Sequence, residues 1–162
     1  MSITVAKNFR SYILPCFIFV VLCLVIAAFS GAVSETHIEG WFVQLNKPSF
    51  NPPAWLFAPV WTVLYILIGL SGGILWKYRQ KTPKLFYCYL LQLIFNFAWS
   101  FIFFVSQQIG VALIDMLLLI VFVSLTIFYA WSRVRIVSYL LVPYWFWLCF
   151  ALLLNFSIWL LN

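Results

Sequence analysis

Charge is nearly absent from this sequence. Of 162 residues only 7% are charged, the acids are Glu35, Glu39 and Asp115 alone, and His37 is the single histidine. A water-facing surface needs several times more charge than this, so a lipid bilayer is the solvent for most of the chain. The same scarcity removes whole classes of chemistry. There is no Ser–His–Asp or Cys–His nucleophile set, no phosphate loop and no metal cluster, so no metal site is expected. Cysteine is sparse too: Cys16, Cys23, Cys88 and Cys149 form no CxxC pair and all lie in apolar runs. Buried free thiols acting as small hydrophobes fit that placement better than redox or metal chemistry. The net charge of +6 comes from basic residues scattered over short connections, with no continuous patch for nucleic acid.

What is abundant is apolar and aromatic: 67% of residues are hydrophobic, with 18 Phe, 9 Trp and 8 Tyr. The apolar residues fall into five runs, at about 11–33, 55–76, 85–105, 111–131 and 137–161. Each is near the ~20 residues a helix needs to cross hydrocarbon. None alternates as an outer-membrane strand would. The expectation is an all-α membrane protein: a single domain over residues 1–162, built as a five-transmembrane-helix bundle. The first run, preceded by Lys7 and Arg10, is longer than the ~7–15 residues of a signal-peptide core and reads as a retained helix. Residues 34–54 form the only long connection, and Trp41 and Phe50 make it too aromatic for a disordered tether. We expect this loop to be ordered on the helix ends. Eight of the nine cations, all but Lys47, fall on one side of the five spans. By the positive-inside rule the N-terminus is then cytoplasmic, with the long loop and the C-terminus outside.

The chain is organised around KPSFNPPAWLFAPVWTVLY, residues 47–65. Pro48, Pro52 and Pro53 stiffen an extended arm, Asn51 reads as a helix N-cap, and a helix follows whose first turns carry Trp55, Trp61 and Tyr65. Such an arm suits a roof over a cavity whose wall begins at Trp61 and Tyr65. Polar residues inside the spans should face protein or a cavity, because lipid offers them no hydrogen bonds. In the second span Gly69 and Gly73 form a GxxxG close-approach face, which helix packing, within or between subunits, explains without any ligand. Gln92, Asn96 and Ser100 form one stripe of the third span beside Trp99. Interhelical hydrogen bonding accounts for this stripe about as well as a binding site does. Tyr144, Trp147, Ala151 and Asn155 share a face of the fifth span, with Ala151 leaving room between large neighbours. Asp115 is the only acid in a span, about 9 Å inside its helix. An unpaired carboxylate there costs ~2.5–3.5 kcal/mol. Asp115 is therefore protonated, or tied structurally to Trp, Tyr or loop donors. Together these stripes describe an interior suited to a flat apolar ligand with a polar edge, and unsuited to an ion. His37 as a haem axial ligand ranks below a surface or packing role, as lone loop histidines usually do. Asn155-Phe156-Ser157 lies in an apolar run, where glycosylation is implausible.

These residues resemble the TspO/translocator family, also called tryptophan-rich sensory proteins or peripheral-type benzodiazepine receptors. The resemblance runs through residues 47–65, Gln92, NFAWSFIFF (96–104), GVALID (110–115) and PYWFWLCFALLLN (143–155). It implies a five-helix bundle, often a homodimer, that binds protoporphyrin IX or haem, sterols and synthetic ligands in a pocket under the first loop. The implied ligand-binding positions are Trp41, Trp61, Tyr65, Asn96, Trp99, Tyr144, Trp147 and Ala151. Trp61 and Trp147 match the pair implicated in light-dependent porphyrin breakdown in bacterial members. No cofactor is implied as obligatory; porphyrin or haem enters as ligand. Phe50 stands where the family usually has Trp, and the terminal FSIWLLN has no Lys or Arg to complete a sterol-recognition pattern. Phe50 costs the loop lid an N–H donor, and the missing cations weaken a sterol as ligand and favour a bacterial-type protein of the cell membrane. Three functions stay open: a tetrapyrrole sensor or regulator, a porphyrin or sterol transporter, and a photochemical porphyrin-degrading enzyme. The sensor ranks first. No charge relay, inverted repeat or broken helix supports coupled transport, and no acid–base machinery supports ordinary catalysis.

Overall fold

The computed structural model describes residues 10–162, leaving out the side chains of residues 38 and 39. Lys7 lies outside the described residues. Five helices run antiparallel in sequence order: α1 (Arg10–His37), α2 (Ala54–Tyr78), α3 (Pro83–Ser100), α4 (Ile109–Arg133) and α5 (Arg135–Leu161). All five are long and apolar enough to cross a bilayer. Around the bundle the neighbours follow the order α1, α2, α5, α4, α3, and α3 closes the ring by touching α1 and α2. Large apolar side chains such as Leu14, Phe17, Phe128 and Phe146 point outward and are more than half exposed. That is the inside-out surface of a chain solvated by lipid tails.

Four of the five helix ranges match the apolar runs to within a few residues. The first does not. α1 continues four residues past Val33 to His37, and a π-helical turn, Ile38–Phe42, carries it further. The irregular connection therefore shrinks to about residues 45–53, less than half of the loop expected at 34–54. The cause is local. Ser34 Oγ donates to the Ser30 carbonyl at 2.8 Å, Thr36 Oγ1 donates to the Val33 carbonyl at 2.9 Å, and His37 Nδ1 lies 2.8 Å from the same carbonyl. Polar side chains that read as loop instead satisfy the carbonyls of a helix leaving the hydrocarbon. Hydropathy marks where lipid ends, not where the helix ends.

The connection is ordered, as expected. Lys47 Nζ donates to the carbonyls of Val43 and Leu45, capping the helical extension, and lies 4.7 Å from the Phe42 ring centre. Asn46 and Asn162 exchange two bonds of 3.0 and 3.1 Å, and Asn46 Nδ2 donates to the Leu161 carbonyl. The arm is thus fastened to the last turn of α5. Asn51 does not cap α2. The helix starts at Ala54 with Pro53 as its extended cap residue, and Asn51 Nδ2 donates instead to the Pro52 carbonyl. Two consecutive prolines hold the chain extended beyond Asn51, so its side chain is out of reach of the helix N–H groups.

GxxxG belongs to α1–α2 packing within one chain. A Cβ on Gly69 would lie 2.5 Å from the Val20 Cα, and one on Gly73 would lie 2.3 Å from the Cys16 Cα. Both meet backbone, which cannot swing aside. Only hydrogen at these two positions lets the helices approach so closely. At the end of the bundle that carries the arm, a π-helical turn (Phe101–Val105) prolongs α3, and Gln107, with a left-handed backbone (φ 56°), turns the chain into α4 through residues 106–108.

Candidate functional site: an aromatic seam threaded by one amide

The seam between α2 and α5 is built from aromatic pairs at successive helical turns. The helices are antiparallel, so positions rising along one meet positions falling along the other. Phe57 faces Trp147 edge-on at 6.1 Å, and one turn deeper Trp61 faces Tyr144 at 6.3 Å. Trp61 also lies against Tyr65, one turn along its own helix, at 5.6 Å. α3 supplies the polar element. Asn96 accepts a short hydrogen bond from the Tyr65 hydroxyl through Oδ1, and its Nδ2 donates to the Tyr144 hydroxyl at 2.7 Å. One buried amide therefore ties three helices together. Asn96, Tyr65 and Tyr144 are all nearly inaccessible. Their polar atoms exist in this low-dielectric interior because each satisfies another.

A second group lies toward the end of the bundle that carries the arm. Trp41 packs edge-on against Phe103 at 5.5 Å, and Trp99 stacks on the same ring at 4.9 Å. Trp99 Nε1 donates to Asn155 Oδ1 at 3.1 Å, and Asn155 Nδ2 donates to the Ile109 carbonyl at the start of α4. These bonds tie α3, α5 and the start of α4 together. The expected binding residues thus divide. Trp61, Tyr65, Asn96 and Tyr144 form one connected set. Trp147 and Ala151 flank it on α5, and Trp41 joins Trp99 through Phe103 at the outer end.

Several interior polar atoms meet no partner among the described residues. The Trp147 indole N–H is buried without an acceptor, and both amide ends of Gln92 and Asp115 Oδ2 are buried without a partner. Native interiors pair nearly all such atoms, so an orphaned donor or acceptor calls for an explanation. At Asp115 the expected tie to a Trp, Tyr or loop donor is not formed at Oδ2. Gln92 was visible in the sequence as part of a stripe, but nothing there distinguished it from its satisfied neighbour Asn96. His37 contacts Thr36 and its own helix at the outer end, a packing role. No group of three or more His, Cys, Asp or Glu that would hold a metal occurs among the described residues.

Fold and site together define a polytopic five-helix membrane protein with a Trp- and Tyr-lined interior under a fastened loop. Comparison with known proteins gives the family: the profile of the TspO/MBR family matches residues 19–160. The chain is 38% identical over 146 residues to "Tryptophan-rich protein TspO" of Archaeoglobus fulgidus, covering 88% of this chain and 94% of the relative. It is 40% identical over 147 residues to the protein of that name from Chlorobaculum tepidum, covering 87% and 91%. It is 38% identical over 130 residues to human "Translocator protein", covering 76% of each. The chain belongs to the TspO/MBR family.

Proposed function

We propose that this protein binds a tetrapyrrole, protoporphyrin IX or haem, within the α2–α3–α5 interior and acts as a sensor or regulator rather than as a pump. The observation that carries the reading is the Trp147 indole N–H, buried beside the aromatic seam with no acceptor. A flat ligand lying along Trp61, Tyr65, Tyr144 and Trp147 would stack on electron-rich rings and present a carboxylate or ring nitrogen to that donor. Ala151, half-buried one turn beyond Trp147, is the small residue beside which the ligand's edge would lie. The arm with Pro48, Pro52 and Pro53 serves as the roof, held shut by Asn46 and Asn162. Family membership supports the choice of ligand class. The distribution of basic residues supports a cytoplasmic N-terminus in a bacterial cell membrane, with the roof outside.

A second reading, light-driven porphyrin breakdown, is favoured by the contacts of Trp61 with Tyr65 and Tyr144, which place oxidisable rings in series. One experiment tests both. Purified protein in detergent is titrated with protoporphyrin IX, in darkness and under illumination. Tryptophan quenching with an unchanged Soret band supports binding alone. Soret loss under light, abolished by Trp61→Phe or Trp147→Phe, supports the enzyme. Absence of saturable quenching refutes both.

A further inference from the structure

We propose that the outward face of α4 and α5 carries a site for one anionic glycerophospholipid, separate from the aromatic interior. A groove of about 610 Å³ runs between these helices, within the range of specific small-molecule sites. Its floor is Ile127 and Val142, and its walls include the outward rings of Phe128 and Phe146. The floor is fixed rather than soft: Trp145 Nε1 donates to Ser124 Oγ at 2.8 Å, locking the two helices across the groove. From Ser124 to Ser132 the groove covers about 12 Å of helix, most of one ~15 Å leaflet. A lipid-facing groove of this size is filled by an acyl chain, because water has no hydrogen bonds to make there.

The end of the groove chooses the headgroup. Trp131 lines it and touches Tyr139 at 5.7 Å, an indole–phenol pair of the kind that marks the membrane interface. The Arg135 guanidinium lies 5.6 Å from the Trp131 ring centre, and Arg133 ends α4 two residues away. Both arginines are exposed, and neither forms an ion pair with an acid among the described residues. Glu35 lies at the opposite end of the bundle, and Asp115 near the start of α4. Two exposed cations and an apolar trough leading away from them match a phosphate with a chain attached. The occupant is therefore a lipid with net negative charge, not a zwitterionic one.

The test uses the full-length protein in micelles, with native mass spectrometry of the adducts formed with phosphatidylglycerol or phosphatidylcholine of identical chains. One phosphatidylglycerol should be retained with a preference of about 30-fold, from two arginines at ~1 kcal/mol each near the surface. Arg133→Gln with Arg135→Gln should bring retention down to the phosphatidylcholine level. Lys81→Gln with Lys84→Gln, at the same end but away from the groove, should leave the preference intact. Val142→Trp should displace either lipid. Equal retention of the two lipids overturns the proposal. So does a preference lost equally in the lysine variant, or an adduct competed away by glycerol phosphate, which would make the site an anion site. The arginine variants change only exposed side chains, so they decide the matter even if Val142→Trp fails to fold.

Discussion

Replacing Asn96 by Leu should be costly for stability, and the loss should be recoverable. Leucine is similar in volume but removes both the acceptor of the Tyr65 hydroxyl and the donor to the Tyr144 hydroxyl. Tyr65 is 4% exposed and Tyr144 fully buried, so neither hydroxyl has water to turn to. Hydrogen bonds between membrane helices are worth ~0.6 kcal/mol on average and ~1.7 at most, so two lost together amount to about 1–3 kcal/mol. Removing both sides of a buried bond is far milder than removing one. The triple variant Tyr65→Phe, Asn96→Leu, Tyr144→Phe should therefore regain most of that loss. Reversible unfolding in mixed dodecyl maltoside and SDS micelles, followed by circular dichroism, measures both steps. The reasoning fails if Asn96→Leu is neutral, or if the triple variant is no more stable than the single one.

Other predictions follow from the same contacts. Gly73→Ala puts a Cβ 2.3 Å from the Cys16 Cα, so α1 must shift by more than an ångström; overpacking of this kind costs about 1–3 kcal/mol. Gly31→Ala meets nothing within 4 Å and should stabilise by about 0.5–1 kcal/mol, so the two substitutions should move the unfolding midpoint in opposite directions. Ala151→Phe should weaken porphyrin quenching by filling the space beside Trp147 while leaving the fold intact; unchanged affinity would discredit the assignment of that space. Asn162→Ala removes both of its bonds to the Asn46 backbone, and limited proteolysis should then cut residues 43–53 sooner with little change in the unfolding midpoint.

The sequence by itself determined that this chain lives in lipid, crosses it with five helices and turns a Trp- and Tyr-bearing face inward. These follow from run length and from stripes at helical spacing, because hydrocarbon accepts only backbones that satisfy themselves. The family was legible for the same reason, its proline and tryptophan motifs being continuous in the chain. What lay beyond the sequence was pairing. Gly69 and Gly73 announced a close approach, but only the folded bundle chose α1 as the partner over a second copy of the chain. Asn96 and Gln92 look alike on one stripe, yet the bundle gives Asn96 two tyrosines and leaves Gln92 without a partner. Trp61 and Trp147 sit in different spans and reach one seam only because α2 and α5 run antiparallel as neighbours. Hydropathy also ended α1 at the edge of the hydrocarbon, whereas the backbone kept its helix as far as Phe42, where Phe103 and Phe104 receive the rings. Periodicity fixes which side of a helix faces inward. Which residue waits there on another helix is a long-range packing outcome, and only the tertiary structure decides it.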